Sequence, residues 1–188
     1  MQIGSVEIDG GYFGGYVKPS NHVENRRDRR LFKNQNGKRR VVVVVRERDG
    51  RTLPAVFKSE QASQRFIRSR VERGTVIHAD EAHGWNDLQA KYEMRRINHQ
   101  QAYSADGACT NGAEEFFSRM RRAEIGHHHH IAGVYLGRYA QEAAWREDNR
   151  RSSNGDQLCA VAFLVALSKP SVDFCGYWQR ARKRIPSV

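Results

Sequence analysis

Apolar residues alternate or cluster in short runs through the first half of the chain and recur at steps of three and four through the second. Ile3, Val6 and Ile8 open a first strand, and Tyr12–Val17, beyond the Gly10-Gly11 pair, is predicted to be its hairpin partner. The polar stretch 18–40 is expected to be a flexible insertion. Five successive valines, Val41–Val45, predict a central strand buried on both faces, with a turn at Asp49-Gly50 and a return strand over Leu53–Phe57. Ser59 is a plausible cap for a helix to about Arg73, stopped by Gly74. Thr75–Ala79 is the next short strand, and it ends on Asp80.

Trp85, Leu88 and Tyr92 have helical spacing, and Met94–Ile97 fits another strand. Thr110 is the expected cap of a helix to Arg122 with Ala113, Phe116, Phe117 and Met120 on its apolar face. Ile131–Arg150 predicts a second helix. Leu158–Leu167 predicts a third, almost wholly apolar and therefore buried, closed by Pro170. Strands first, one β-α-β passage and then helices give an α/β class with a mixed sheet flanked by helices.

The charge changes this picture from a fold to a partner. The 188 residues carry 32 Lys and Arg against 21 Asp and Glu, a net charge of +11. Nine of the basic residues lie between Lys18 and Arg40, opposed by Glu24 and Asp28, and 180–184 repeats the theme. Such blocks suit a large polyanion, nucleic acid first and an acidic membrane surface second. No apolar run approaches the roughly 18–20 residues of a membrane span, so the chain reads as cytoplasmic with no membrane partner. Cys109, Cys159 and Cys175 are far apart without a Cys-x-x-Cys pair, which argues against a zinc ribbon or a disulfide framework.

Asp9 follows one apolar strand and Asp80 another. Two strand ends that each deliver a carboxylate can lie side by side in a mixed sheet, where the acids repel unless a cation sits between them. Two Mg²⁺ ions about 3.5–4 Å apart would serve phosphodiester chemistry there, one at the attacking oxygen and one at the leaving oxygen. On the helix of 110–122, Asn111, Glu114, Ser118 and Arg121 share a polar stripe opposite the aromatic face, so an acid in its first turns is placed to complete the site.

Together the string Glu7-Ile-Asp-x-x-Tyr-Phe-Gly-Gly15, the strand ending in Asp80, Asn98-His99 and Thr110-Asn-x-x-Glu-x-Phe-Phe-Ser-x-x-Arg121 resemble the DDE-type transposases of bacterial insertion sequences. The narrower resemblance is to the integrase-like catalytic domain of the ISXO-type group, whose third motif begins with Thr-Asn. It runs from about Val6 to Arg150 and takes in Tyr139, Glu142, Trp145-Arg146 and Asn149-Arg150, with 71 positions from Asp9 to Asp80 and 34 from Asp80 to Glu114.

The resemblance implies a ribonuclease-H-like fold with Asp9 on the first strand, Asp80 on the fourth and Glu114 on the following helix. These three would hold two Mg²⁺ or Mn²⁺ ions, with Glu115 and Glu142 as rivals for the third acid. Asn111 matches the family's asparagine, a metal ligand or an orienter of the scissile phosphate. Arg121 matches a basic residue that contacts the element's ends, and Arg119, Arg122, Arg146 and the Lys38-Arg39-Arg40 run are further expected DNA contacts. The implied activity is DNA cleavage and strand transfer by a homo-oligomer on DNA, in a bacterial cytoplasm and associated with the nucleoid. A catalytically inactive DNA-binding remnant and a ribonuclease-H-type nuclease are the alternatives. The implied boundaries are a catalytic domain over 1–168 and a basic tail over 169–188. Gly10-Gly11 departs from the polar residues usual after the first aspartate, which is expected to loosen the support of Asp9. Full-length members carry an N-terminal zinc-ribbon or helix-turn-helix region, so the chain reads as a truncated copy that keeps the catalytic part.

Three other features compete for attention. Gly126-His-His-His-His-Ile131 reads first as a DNA-proximal loop, then as packing, and last as a metal site. His78, Asp80 and His83 have metal-ligand chemistry, with simple packing preferred. Trp85, Tyr135, Trp145 and Trp178 lie among basic residues as in single-strand binders, although their spacing favours core positions.

Overall fold

The computed structural model describes residues 4–14, 20–26, 37–48, 50–97 and 109–170. It forms two compact units, Met1–Asp148 and Asn149–Val188. The first is built on a five-stranded sheet in the order β3-β2-β1-β4-β5. The strands are β1 (Ser5–Phe13), β2 (Arg40–Glu47), β3 (Thr52–Phe57), β4 (Val76–Asp80) and β5 (Met94–Ile97). β1, β2 and β3 pair antiparallel, whereas β4 and β5 join parallel to β1. The valine run is fully buried at all five positions in β2, between β1 and β3. Helices cover both faces, so the central strand has no polar side to spare.

Val41, Val43 and Val45 meet Val6, Ile8 and Ile77 on one face, where helix α1 (Gln64–Arg70) contributes Ile67 and the 3₁₀ turn His83–Leu88 contributes Trp85 and Leu88. Val42 and Val44 meet helices α2 (Asn111–Ala123) and α3 (Leu136–Asp148) on the other. On α2 the buried residues are Ala113, Phe116, Phe117 and Met120, the face expected from their spacing.

Tyr12–Val17 is not a hairpin partner over its described part, since β1 continues through Gly10-Gly11 and pairs Tyr12 with Val41 and Phe13 with Arg40. Packing explains the difference. A Cβ on Gly11 would lie 2.5 Å from the Phe117 ring, so the glycine lets α2 rest against the strand. The first left-handed backbone in this stretch comes at Gly14, φ 73°.

The helix expected from Ser59 to Arg73 is a 3₁₀ turn, Gln61–Ser63, followed by the shorter α1, with Ser59 Oγ accepting from the Ala62 N–H at 3.3 Å. The helix expected over 131–150 begins at Leu136, and Ile131 is buried ahead of it.

In the second unit, helix α4 (Asn154–Leu167) is capped by Ser153, whose hydroxyl accepts from the Asp156 N–H at 3.1 Å. It forms where expected, but none of its residues is buried. Leu158, Phe163, Leu164, Val165 and Leu167 are all exposed, so the expectation of a buried third helix is corrected. An apolar run predicts that a segment seeks cover without specifying the cover. Asn98-His99, the Asp49 turn position, Cys175, Trp178 and the basic run 180–184 lie outside the described residues.

Candidate active site

Parallel pairing sets Glu7 beside His78 and Ile8 beside Ala79, and one more residue of the same register brings Asp9 alongside Asp80. β1 delivers its odd-numbered side chains to the face covered by α2. Along that face Glu7 reaches the start of α2, Asp9 comes under the influence of Glu114, Gly11 receives Phe117, and Phe13 packs against the same ring at 6.1 Å between centroids.

Burial pushes the Asp9 carboxyl up to about 6, and the negative charges of Asp80 and Glu114 push the same way. The Gly10 N–H, donating to Oδ1 at 2.7 Å, and the more distant Arg121 guanidinium oppose them. Asp80 is oriented from its own loop: the Trp85 indole N–H donates to Oδ1 at 2.7 Å and the Ala82 N–H donates to the same atom at 3.2 Å. The fully buried Trp85 is thus an orienting donor for an acid and is not placed to stack on a base.

Of the three expected acids on the helices, Glu114 is the one whose charge acts on Asp9. Glu115 points away, into an ion pair with Arg119 at 3.1 Å, and Glu142 pairs with Arg146 on α3 at 2.9 Å. Asn111 is the first residue of α2 and is exposed.

The start of α2 is fixed by residues that spacing alone did not single out. Glu7 Oε2 accepts from the Ala113 N–H at 3.0 Å, so a strand carboxylate supplies the cap bond that the Thr110 side chain does not make. Arg46 donates to the Gly112 carbonyl at 2.7 Å and to Glu147 at 2.9 Å, and Arg119 reaches the other Glu147 oxygen at 2.7 Å. Gly112 belongs there because a Cβ would fall 2.9 Å from Glu7 Oε2 and 3.1 Å from Arg46 Nε. Glu147, buried at the end of α3, ties both helices to β2 through two arginines.

The remaining basic residues divide by surroundings. Arg121 and Arg122 are exposed in the last turn of α2, and Arg121 lies over the Phe117 ring at 5.9 Å. Lys38 and Arg39 are exposed ahead of β2, while Arg40 turns back to the carbonyls of Gly37 and Arg39. Arg119 and Arg146 are held in the ion pairs already described.

Carboxylates alone suit a hard divalent cation, and burial, with the charges of Asp80 and Glu114 behind it, raises the Asp9 carboxyl. Among the described residues no group of three or more His, Cys, Asp or Glu is gathered closely enough to hold a metal ion. Asp9 and Asp80, neighbours through the parallel register, and Glu114, whose charge reaches Asp9, are of the donor type such an ion takes without being gathered into a closed site. The His78 ring nitrogen Nδ1 is engaged 3.4 Å from both Arg48 and the Cys109 N–H, a packing role. In the histidine run, Glu124–His128 forms a π-turn off the end of α2, and the His128 ring sits 4.5 Å from that of Tyr139.

No helix of the described residues is long and apolar enough to cross a membrane. Comparison with curated proteins and with solved structures gives no match. The model of the ISXO2-like transposase domain matches residues 2–148, a span that holds Asp9, Asp80, Asn111 and Glu114. The chain belongs to that family of insertion-sequence transposases.

Proposed function

We propose that Met1–Asp148 is a ribonuclease-H-like catalytic unit that cleaves DNA at the ends of an insertion element and joins the freed strand to target DNA. The observation that carries this reading is the convergence on Asp9: Asp80 by register and Glu114 from α2, with burial and both charges raising its carboxyl. Membership of a transposase family supports DNA as the partner.

Asp9, Asp80 and Glu114 would hold Mg²⁺ or Mn²⁺, two ions when fully loaded, supplying a lowered pKa for the attacking oxygen and charge stabilisation for the leaving one. The chain's own part is positional. Trp85 and Ala82 fix Asp80, Glu7 and Arg46 fix the start of α2 and so Glu114, and Asn111 stands one turn before Glu114 to orient the phosphate. Arg121, Arg122, Lys38, Arg39 and Arg40 hold the DNA backbone, with Arg119 and Arg146 contributing from their ion-paired positions.

In the first step water attacks the phosphorus, the P–O bond to the 3′ oxygen breaks, and the strand is left with a 3′-hydroxyl and a 5′-phosphate. In the second, that hydroxyl attacks a target phosphodiester, forming one P–O bond as another breaks. The reading extends to a homo-oligomer on the DNA, in the cytoplasm and at the nucleoid.

The test is nicking and strand transfer on DNA carrying the element's ends, in Mg²⁺ or Mn²⁺. Asp80→Asn and Glu114→Gln are each expected to lower the rate by at least about 10²-fold while leaving salt-sensitive DNA binding in place. Nicking that is indifferent to both substitutions overturns the assignment.

A further inference from the structure

Tyr12 lies on β1 three residues beyond Asp9, past the point where β4 ends at Asp80. It is 40% exposed, yet it is held on two sides. The Arg39 guanidinium lies over its ring, 4.8 Å from the centroid. Its hydroxyl donates to Glu60, whose carboxylate feels the charge of Asp80. Glu60 is itself wedged between two glycines, since a Cβ on Gly10 would fall 2.9 Å from its Oε1 and one on Gly84 2.7 Å from its Cβ. Glu60 thus ties Tyr12 to the neighbourhood of Asp80, whose charge it feels, and Tyr12 carries Arg39 over its ring.

Packing accounts poorly for this arrangement, because a core tyrosine is not left two-fifths exposed with its ring orientation fixed at both ends. A half-exposed ring that carries a guanidinium over one face can extend that stack to a nucleobase and meet its phosphate with the same charge. In a duplex the bases show their edges, so only an unpaired nucleotide offers a face to such a ring. Tyr12 and Asp9 point to opposite faces of β1, and the two faces meet where β1 runs on past the end of β4 at Asp80, so a strand passing round that edge reaches both.

We propose that Tyr12, braced by Glu60 and carrying Arg39 over its ring, is a stacking platform for an unpaired base on the strand whose phosphodiester is held at Asp9 and Asp80. The inference rests on the reading of those acids as a phosphodiester site and adds to it a preference for DNA that is frayed or opened next to the cut.

The test uses the whole chain in EDTA, where no cleavage occurs, with a fluorescent oligothymidylate of about 15 nucleotides and a duplex of equal length. Tyr12→Leu is expected to weaken single-strand binding by about 5-fold or more and duplex binding by less than about 2-fold, while Tyr12→Phe stays near wild type. Arg39→Ala is expected to weaken both and to lower the salt dependence by about one ion. A measurement independent of any variant is photo-crosslinking of wild-type protein to the same oligonucleotide carrying 5-iododeoxyuridine. A crosslink at Tyr12 is expected; crosslinks only elsewhere, or single-strand binding unchanged in Tyr12→Leu, overturn the platform. Wild-type nicking in Mg²⁺ separates the two ideas: nicking with binding that ignores Tyr12 sinks the platform alone, whereas Tyr12-dependent binding without nicking sinks the catalytic reading.

Discussion

Glu7 and Asp9 are acids two residues apart on one face of β1, and their surroundings give them opposite roles. Glu7 is the deeper, 5% exposed, but both of its oxygens are engaged: Oε2 accepts from the Ala113 N–H at 3.0 Å, and Oε1 lies 3.7 Å from both Arg48 Nε and the Cys109 thiol. Asp9 accepts from the Gly10 N–H and faces two further acids, and its carboxyl is raised. Depth alone therefore does not separate the two acids: Glu7 is met by donors, whereas Asp9 is buried with one donor and two like charges near it.

The largest expected effect breaks the satisfied side of this pair. Glu7→Ala removes the cap of α2 and the ion pair with Arg48, and about 3 kcal/mol of stability should be lost in chemical denaturation. Glu7→Gln keeps one acceptor for the Ala113 N–H and should lose less. A Glu7→Ala midpoint within error of wild type would end the claim that this acid is structural. Gly11→Ala comes next, because its methyl would meet the Phe117 and Phe13 rings at 2.5 and 2.9 Å. Overpacking of this kind costs about 1–3 kcal/mol and should move Glu114 with α2, lowering nicking further than stability alone accounts for. Gly10→Ala meets the movable end of Glu60 and should be milder. If Gly10→Ala were the more harmful, the strand would not be seated on α2 as described.

The face of α2 and the buried valines were legible because each follows a local period that packing did not override. The neighbouring of Asp9 and Asp80 was legible from two apolar stretches that each run into an acid, but the expectation of two strand ends is corrected for Asp9, which lies within β1, while Asp80 does end its strand. Gly10-Gly11 misled, since a glycine pair reads locally as a turn, while the demand it answers comes from Phe117, more than a hundred positions away. Trp85, Glu60 and Arg46 carry no motif of their own, and Glu7, although it opens the string around Asp9, has no role that the string spells out. Their roles depend on a backbone N–H, a carboxylate or a carbonyl brought near by folding, and no spacing rule encodes those meetings. α4 shows the converse, a helix placed correctly by composition whose burial composition could not supply.

The smallest expected effect on stability runs opposite in sign and sharpens the comparison most. With a folded pKa of about 6 against an ordinary value of 3.8, ionised Asp9 weighs against the folded state. Below pH 4 the group is protonated in both states and contributes nothing. As pH rises from about 4 to 6 the unfolded chain gives up its proton first, so stability falls through that window and levels off above it. Asp9→Asn should therefore stabilise the metal-free protein at neutral pH by about 1–2 kcal/mol, allowing for partial exposure, while abolishing nicking. Wild-type pH curves alone would obscure this, because His78 acts in the reverse direction. Burial, Arg48 and Arg95 lower the His78 pKa to about 4, so its neutral form costs stability as pH falls from 6.5 towards 4. The difference between wild type and Asp9→Asn cancels His78 and should grow from near zero at pH 4 to a plateau above pH 6. A flat difference across that range would mean that Asp9 is as well satisfied as Glu7, and the contrast between them would collapse.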